Sequence, residues 1–232
     1  MPKFRSLLAA ATVASLTVIS PLAADDKEKE SERLNEAATV LTEIMDTPDK
    51  GIPQDLLENA HCIVIVPGLK KGAFIVGAKF GKGFVSCRDK TKHAWSAPGA
   101  VRVEGGSVGF QIGGSETDVV LLVMNDRGAQ KLLSSQFTLG GEGEVAAGPV
   151  GRSTTAQTDA KFRAEILSWS RSRGVFAGIS LQGATLREDD EANLALYGKK
   201  LGNRQIVETS IAAPRGAEHL MALLNRYSPH EK

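Results

Sequence analysis

The run Val119–Met124 is apolar at every position. Six residues are short for a helix and match a strand buried on both faces. Ahead of it, Val108, Phe110 and Ile112 alternate with small or polar residues, the period of a half-buried strand. Gly105, Gly106, Gly109, Gly113 and Gly114 interrupt that segment. Glycine inside a strand marks a bulge, a bend or a backbone passing close by. The pattern predicts a glycine-broken strand, a turn at Ser115–Thr117, then a fully buried strand at the centre of a tightly curved sheet.

Helical spacing appears at Leu34, Ala37, Ala38, Leu41, Ile44 and Met45, with Glu36 and Glu43 on the polar face. A helix lying on a membrane carries Lys and Arg on that face, so this one is expected to pack on its own domain. Pro48 and Gly51 end it, and Pro53 starts a short helix through Asn59. Strands are predicted at His61–Val66 and Gly83–Arg88, the latter turning through Asp89–Thr91. Asn125 or Asp126 can cap a helix over Gly128–Ser134. Extended chain follows over Phe137–Gly151, then a half-exposed strand at Lys161–Ile166 and another extended segment at Gly174–Leu181. Asp189-Asp190 opens a short helix ended by Gly198, and Pro214 opens a last one with Leu220, Leu223 and Leu224 inward. The fold class expected is α+β: a curved, glycine-rich, mainly antiparallel sheet or partly closed barrel, flanked by N- and C-terminal helices.

Of the 232 residues, 1–24 read as a secretory signal peptide: Lys3 and Arg5, an uncharged stretch from Leu7 to Ile19, then Ala23-Ala24. Residues 25–33 are charged and expected to be flexible, and 34–228 suit one domain. Removing the signal takes the formal charge from +1 to −1 (26 basic against 27 acidic residues). That balance excludes nucleic-acid binding by bulk charge. Export would place the chain in the periplasm or cell envelope. There Cys62 and Cys87 are a candidate disulfide, the alternative being two buried thiols.

Little in the chain calls for catalysis. Gly105-Gly-Ser-Val-Gly109 matches a nucleophile elbow, with Asp189 or Asp190 and His219 downstream. The elbow needs a strand-to-helix turn, and strand alternation continues here, so a hydrolase using Ser107 is the minor alternative. Gly141–Ala146 approaches a dinucleotide fingerprint, but its two glutamates oppose a pyrophosphate and no helix follows. Four histidines without metal-ligand spacing predict no metal, and no cofactor is expected.

Seven segments in order carry a resemblance: Trp95–Pro98, Gly109–Gly114, Thr117–Val120, Val145–Gly151, Ser168–Arg173, Gly174–Leu181 and Asp189–Asn193. Together they resemble the SYLF lipid-binding domain family, from about Leu34 to Tyr227. The resemblance implies a non-enzymatic phospholipid-binding domain, with phosphatidylinositol phosphates the ligand of eukaryotic members. It also brings actin into view, but the chain leaves no room for those members' additional domain, so actin is not expected as a partner.

A faint repeat, Lys71-Gly-Ala-Phe74, Lys82-Gly-Phe84 and Arg173-Gly-Val-Phe176, sets a cation, a glycine and a phenylalanine together at strand starts. With Lys70 and Lys79 these residues form the candidate lipid-binding rim: Lys70, Lys71, Phe74, Lys79, Lys82, Phe84, Arg173 and Phe176. The simpler alternative is a sheet edge with solvated cations. Each cation at an anionic surface contributes about 1 kcal/mol, so the four lysines supply roughly 4. The expected partner is an anionic phospholipid or membrane surface, with an envelope protein as the alternative.

Overall fold

The computed structural model describes residues 21–47, 51–73, 76–89, 94–108, 113–139, 145–148, 165–172, 175–176, 181 and 183–228. Helix α1 (Pro21–Met45) leads into α2 (Gln54–Asn59) and then four strands: β1 (Cys62–Ala73), β2 (Val76–Cys87), β3 (Gly99–Val108) and β4 (Gly113–Val123). All pair antiparallel in the spatial order β3-β2-β1-β4, so the fourth strand returns beside the first, a Greek-key arrangement. Helix α3 (Asp126–Leu132) and strands β5 (Gln136–Thr138), β6 (Val145–Ala147), β7 (Ile166–Ser172), β8 (Val175–Phe176) and β9 (Ala184–Glu188) follow. Among the described residues β7 extends the sheet beyond β4, and β9 with β5 extends it beyond β3. The pairing of β6 with β7 is parallel. Helices α4 (Asp190–Tyr197), α5 (Asn203–Glu208) and α6 (Glu218–Tyr227) complete the chain.

The sheet separates two cores. On one face Ile63, Ile65, Phe84, Val120, Leu122, Leu167 and Trp169 meet Leu34, Ala37, Leu41 and Ile44 of α1, with residues of α2, α4 and α6. On the other, Val64, Val66, Val85, Val101, Leu121 and Val123 meet Leu132 of α3 and Ile206 and Val207 of α5. Phe137 and Leu186, from β5 and β9, share this second core with Ile166 of β7 near the opposite end of the strand order. Only a curled sheet brings them together, so this face is concave. The fold is therefore α+β with a curved, mainly antiparallel sheet and helices at both ends, as the hydrophobic pattern predicts.

A bulge in β1 sets the shape. Its register on both neighbours shifts across Val66-Pro67-Gly68-Leu69, where Gly68 adopts φ 54°. The displaced backbone lies against β2 where β2 has no side chains. A Cβ at Gly83 would stand 2.1 Å from the Ile65 carbonyl oxygen, and one at Gly81 would stand 2.7 Å from Leu69 Cδ1.

Several expectations change. Ser115, Glu116 and Thr117 form no turn: they are strand residues opposite Lys71, Lys70 and Leu69. The charged segment 25–33 continues α1 rather than fraying, with Glu30 buried and paired to Arg33. Of the predicted strand at Lys161–Ile166, residues 161–164 lie outside the described residues; β7 begins at Ile166, and Ile166, Leu167, Trp169 and Ser170 are buried. Strand β9 and helix α5 had no counterpart in the pattern analysis. The last helix starts at Glu218, four residues after Pro214, with its three leucines inward. Residues 109–112, 149–164 and the hairpin at 90–93 lie outside the described residues, as do Phe110 and Ile112 of the predicted alternation.

Cys62 and Cys87 face each other across β1 and β2 and form a disulfide, with Cα atoms 4.0 Å apart, inside the concave core. Closing a loop of 25 residues removes conformational freedom from the unfolded chain. Replacing both cysteines by alanine should lower stability by about 3 kcal/mol, read from urea unfolding. Gly83→Ala should cost 2 kcal/mol or more (an order-of-magnitude estimate), because the added methyl meets backbone rather than a movable side chain.

Candidate functional site

Beyond the β1 bulge the sheet changes character. The apolar residues of β1, β2 and β4 give way to Lys70, Phe80, Lys82, Glu116 and Asp118, with Lys71 opposite Lys79 on the other face, and the second half of α1 overhangs them with a polar face. The space between is a cleft of about 1800 Å³. Its wall is α1, presenting Glu32, Glu36, Thr39 and Glu43, and its floor is β1 and β2, with β4 and β7 at the side.

Ion pairs decide which charges remain available. Arg171 of β7 bridges Glu43 of α1 and Asp118 of β4, the latter at 3.0 Å, so one guanidinium ties helix to sheet. Burial alone would lower its pKa, but the hydrogen bonds to Asp118 and Glu43 outweigh that and hold it above the ordinary arginine value. Asp118 also accepts from the Gly68 amide at 3.0 Å, fixing the bulge. Lys82 pairs at 2.7 Å with Asp189, a buried side chain that caps α4 by accepting from the Ala192 amide. Lys70 sits between Phe80 of β2 and Glu116 of β4 in the sheet register and is exposed.

The sequence-predicted rim is thus only partly assembled. Lys70 and Lys71 line the cleft, and Lys82 does so while committed to Asp189. Phe84 is a correction: at 2% exposure, opposite Ile65 and Ala100, it belongs to the core under the helices and cannot reach a ligand. Lys79 is also misplaced at a rim, being 5% exposed on the concave side and opposite Lys71. Phe74 and Arg173 lie outside the described residues; Phe176 is in β8, and its side chain is not described. The residue overlooked is Phe80, 49% exposed at the cleft mouth. Its signal was present: Phe80, Lys82 and Phe84 alternate onto one face, and α1 covers only the inner end of it.

Ser107 lies within β3, opposite Gly77, and the next element is strand β4. A nucleophile elbow requires a helix after the serine, whereas Gly105–Val108, the described part of the motif, is strand. Other motifs are structural. Asn193 accepts from the Ala100 amide at 2.8 Å and donates to Asn203, which donates to the Ala100 carbonyl. Tyr197 donates to the Pro98 carbonyl at 2.7 Å, and burial pushes its phenol pKa up. Ser96 Oγ accepts from the Cys87 amide, and Arg88 lies 4.4 Å over the Trp95 ring. Trp95–Pro98 and Asp189–Asn193 are therefore two sides of one clasp between the start of β3 and α4.

A curled α+β sheet with a charged cleft beneath its N-terminal helix defines the class of module. A family model described as Ysc84, Las17-binding protein actin regulator, matches residues 104–227. SH3 domain-containing YSC84-like protein 1 of Rattus norvegicus is 34% identical over 182 residues, covering 78% of this chain and 53% of the relative. SH3 domain-containing protein PJ696.02 of Schizosaccharomyces pombe is 37% identical over 180 residues, 75% of this chain and 41% of the relative. LAS seventeen-binding protein 3 of Saccharomyces cerevisiae is 35% identical over 180 residues, 76% and 39% respectively. The chain belongs to the Ysc84 family, whose shared domain is the SYLF domain of the sequence resemblance. It spans about half the length of the curated relatives it matches, or somewhat less. These relatives carry names of binding and regulatory proteins rather than enzymes, and the actin regulator in the family description weighs against the expectation that excluded actin.

Burial, and secondarily the charge of Lys71, holds the Lys79 pKa below the usual 10.5. The folded state then binds this proton less tightly than the unfolded chain. Stability contributed by Lys79 rises with pH between the lowered value and 10.5. Urea unfolding across that window should show the rise in the wild type and a flatter curve in Lys79→Met.

Proposed function

We propose that the protein is a non-enzymatic module that docks on anionic phospholipid surfaces with the outer end of its β1–β2 hairpin. The observation that carries this reading is Phe80, a large exposed side chain lying directly opposite Lys70 in the sheet. An aromatic ring beside cations suits the boundary between headgroups and acyl chains. The magnitudes are modest. Lys70 and Lys71 supply about 2 kcal/mol at an anionic surface. Burying Phe80 adds about 2 more, giving a millimolar partition from this patch alone.

Export to the periplasm or cell envelope is part of the same proposal. The signal pattern in residues 1–24 supports it, and so does the disulfide, a bond that persists in oxidising compartments. A protein partner is the second reading, favoured by the yeast relative's name, which records binding to another protein.

Co-sedimentation of the full chain with vesicles of phosphatidylcholine and phosphatidylglycerol, at moderate salt, separates the two. Phe80→Ser and the pair Lys70→Glu, Lys71→Glu should each weaken binding about tenfold or more. None of the three positions belongs to either core. Unchanged binding in both variants would remove this surface from the membrane reading and leave the protein-partner reading.

A further inference from the structure

Away from the cleft, β9, β3 and β2 set three cations side by side on the face that carries Phe80. Arg187 stands opposite Arg102 in the register, and Arg102 stands opposite Lys82. Like charges directly opposite one another destabilise a sheet. Lys82 is committed to Asp189, which leaves the two arginines. They share one carboxylate, Glu104, whose Oε1 lies 3.3 Å from Arg102 Nε and whose Oε2 lies 3.9 Å from Arg187 Nε. Neither contact is a hydrogen bond, and both Nε atoms are buried without one. Among the described residues the terminal amino groups of the two guanidiniums donate no hydrogen bond either. The side chains remain 37% and 41% exposed, so these donors are open to solvent. Arg171 differs in using its own donors on Asp118 and Glu43.

The neighbours add no second carboxylate to the pair. Gln136 stands opposite Arg187 on β5, while Thr185 and Phe80 stand on either side of Glu104. In the first turn of α4, Asp190 hydrogen-bonds Glu188, and neither Asp190 nor Glu191 pairs with either arginine. Two facing guanidiniums therefore hold one shared negative charge, and it reaches only their Nε edges.

We propose that Arg102 and Arg187 form a binding site for a phosphate monoester, held between their guanidinium groups across β3 and β9. Arginine's planar fork matches phosphate oxygens in pairs. A monoester offers three terminal oxygens and a charge of about −1.5 to −2 near neutral pH, enough to engage both forks. A phosphodiester or a carboxylate offers two oxygens and one charge, which Glu104 already supplies. The site lies outside the cleft lining and uses neither Lys70 nor Phe80, so it goes beyond the membrane reading and stands apart from it. The same phosphate chemistry is presented by a soluble phosphorylated molecule and by a lipid with a terminal phosphate.

The test uses the full chain with both forms. Glycerol phosphate and glycerophosphoglycerol are titrated while backbone amide shifts in β3 and β9 are followed. Vesicles of phosphatidylcholine, alone or with phosphatidic acid or phosphatidylglycerol, are sedimented in parallel. The monoester should bind about fivefold tighter than the diester, or more. Arg102→Gln and Arg187→Gln should each weaken monoester binding by about tenfold or more, and Glu104→Gln should strengthen it. Urea unfolding separates this from a merely structural role. Removing one of two opposed like charges should leave the midpoint of each arginine variant unchanged or higher. A lowered midpoint with monoester binding unchanged would make the arginines ties between strands and overturn the proposal. Equal binding of monoester and diester, or no monoester binding in either form, would overturn it too. A phosphatidic acid preference abolished by the arginine variants would support the site and assign its phosphate to a lipid. Monoester binding in solution without that preference would support it with a soluble ligand. Phosphatidylglycerol vesicles that still bind both arginine variants would leave the Phe80 surface intact whatever becomes of this site.

Discussion

The bulge of β1 over the glycines of β2 is the constraint on which the rest depends. Before it, Cys62–Val66 alternates between two apolar cores, and every residue is buried. After it, the strand carries Lys70 and Lys71 and its neighbours carry Phe80, Glu116 and Asp118. The register shift is possible because Gly81 and Gly83 leave β2 bare where the Ile65–Leu69 backbone comes down on it. It is held from the other side by Asp118, which accepts from the Gly68 amide and also pairs with Arg171. Since Arg171 reaches Glu43, the bulge, the sheet and α1 are parts of one linked arrangement. The cleft is the space this arrangement leaves between the polar half of the sheet and the polar turns of α1.

Much of the framework was legible because its signals are local and strong. The uniformly apolar Val119–Val123 strand, the stripe from Leu34 to Ile44, and the caps at Asn125, Asp189 and Gly198 each stand where the pattern places them. What failed did so for identifiable reasons. In β7, Ser168 and Ser170 alternate with Leu167 and Trp169. Small polar residues facing the concave side therefore disguise a strand that is buried on both faces through Ser170. The turn expected at Ser115–Thr117 was inferred from composition, whereas Thr117 is held opposite Leu69 by a partner strand nearly fifty residues away. Helix α5 is six residues long and depends on Asn203 being held by Glu188 and Asn193, contacts invisible to any local window.

The candidate site was less legible than the fold, and the motifs explain why. Two of the segments that carry the resemblance, Trp95–Pro98 and Asp189–Asn193, flank the contact between the start of β3 and α4. Ser96, Asp189 and Asn193 are occupied with backbone groups of Cys87, Ala192 and Ala100 that would otherwise be buried without partners. A search for chemistry in such motifs finds packing. The cation–glycine–phenylalanine repeat misled in a related way. Its glycine in Lys82-Gly-Phe84 serves the β1 bulge, its phenylalanine serves the core, and its lysine balances Asp189. Alternation alone sets the face on which a residue lies, but how far along that face α1 extends separates Phe80 from Phe84.

The charge arrangement also bears on how α1 behaves. Its inner turns are fixed by full burial of Leu34, Ala37, Ala38, Leu41 and Ile44, so the helix axis is set by packing rather than by ion pairs. Arg171 then orients the outer wall against the sheet, and as a partly shielded bridge its two contacts are worth more than exposed surface pairs. The glutamates beyond it face solvent across the cleft, where screening leaves each of them only a weak interaction with the floor. Such a wall can exchange solvent for a ligand without unpacking any hydrophobic residue.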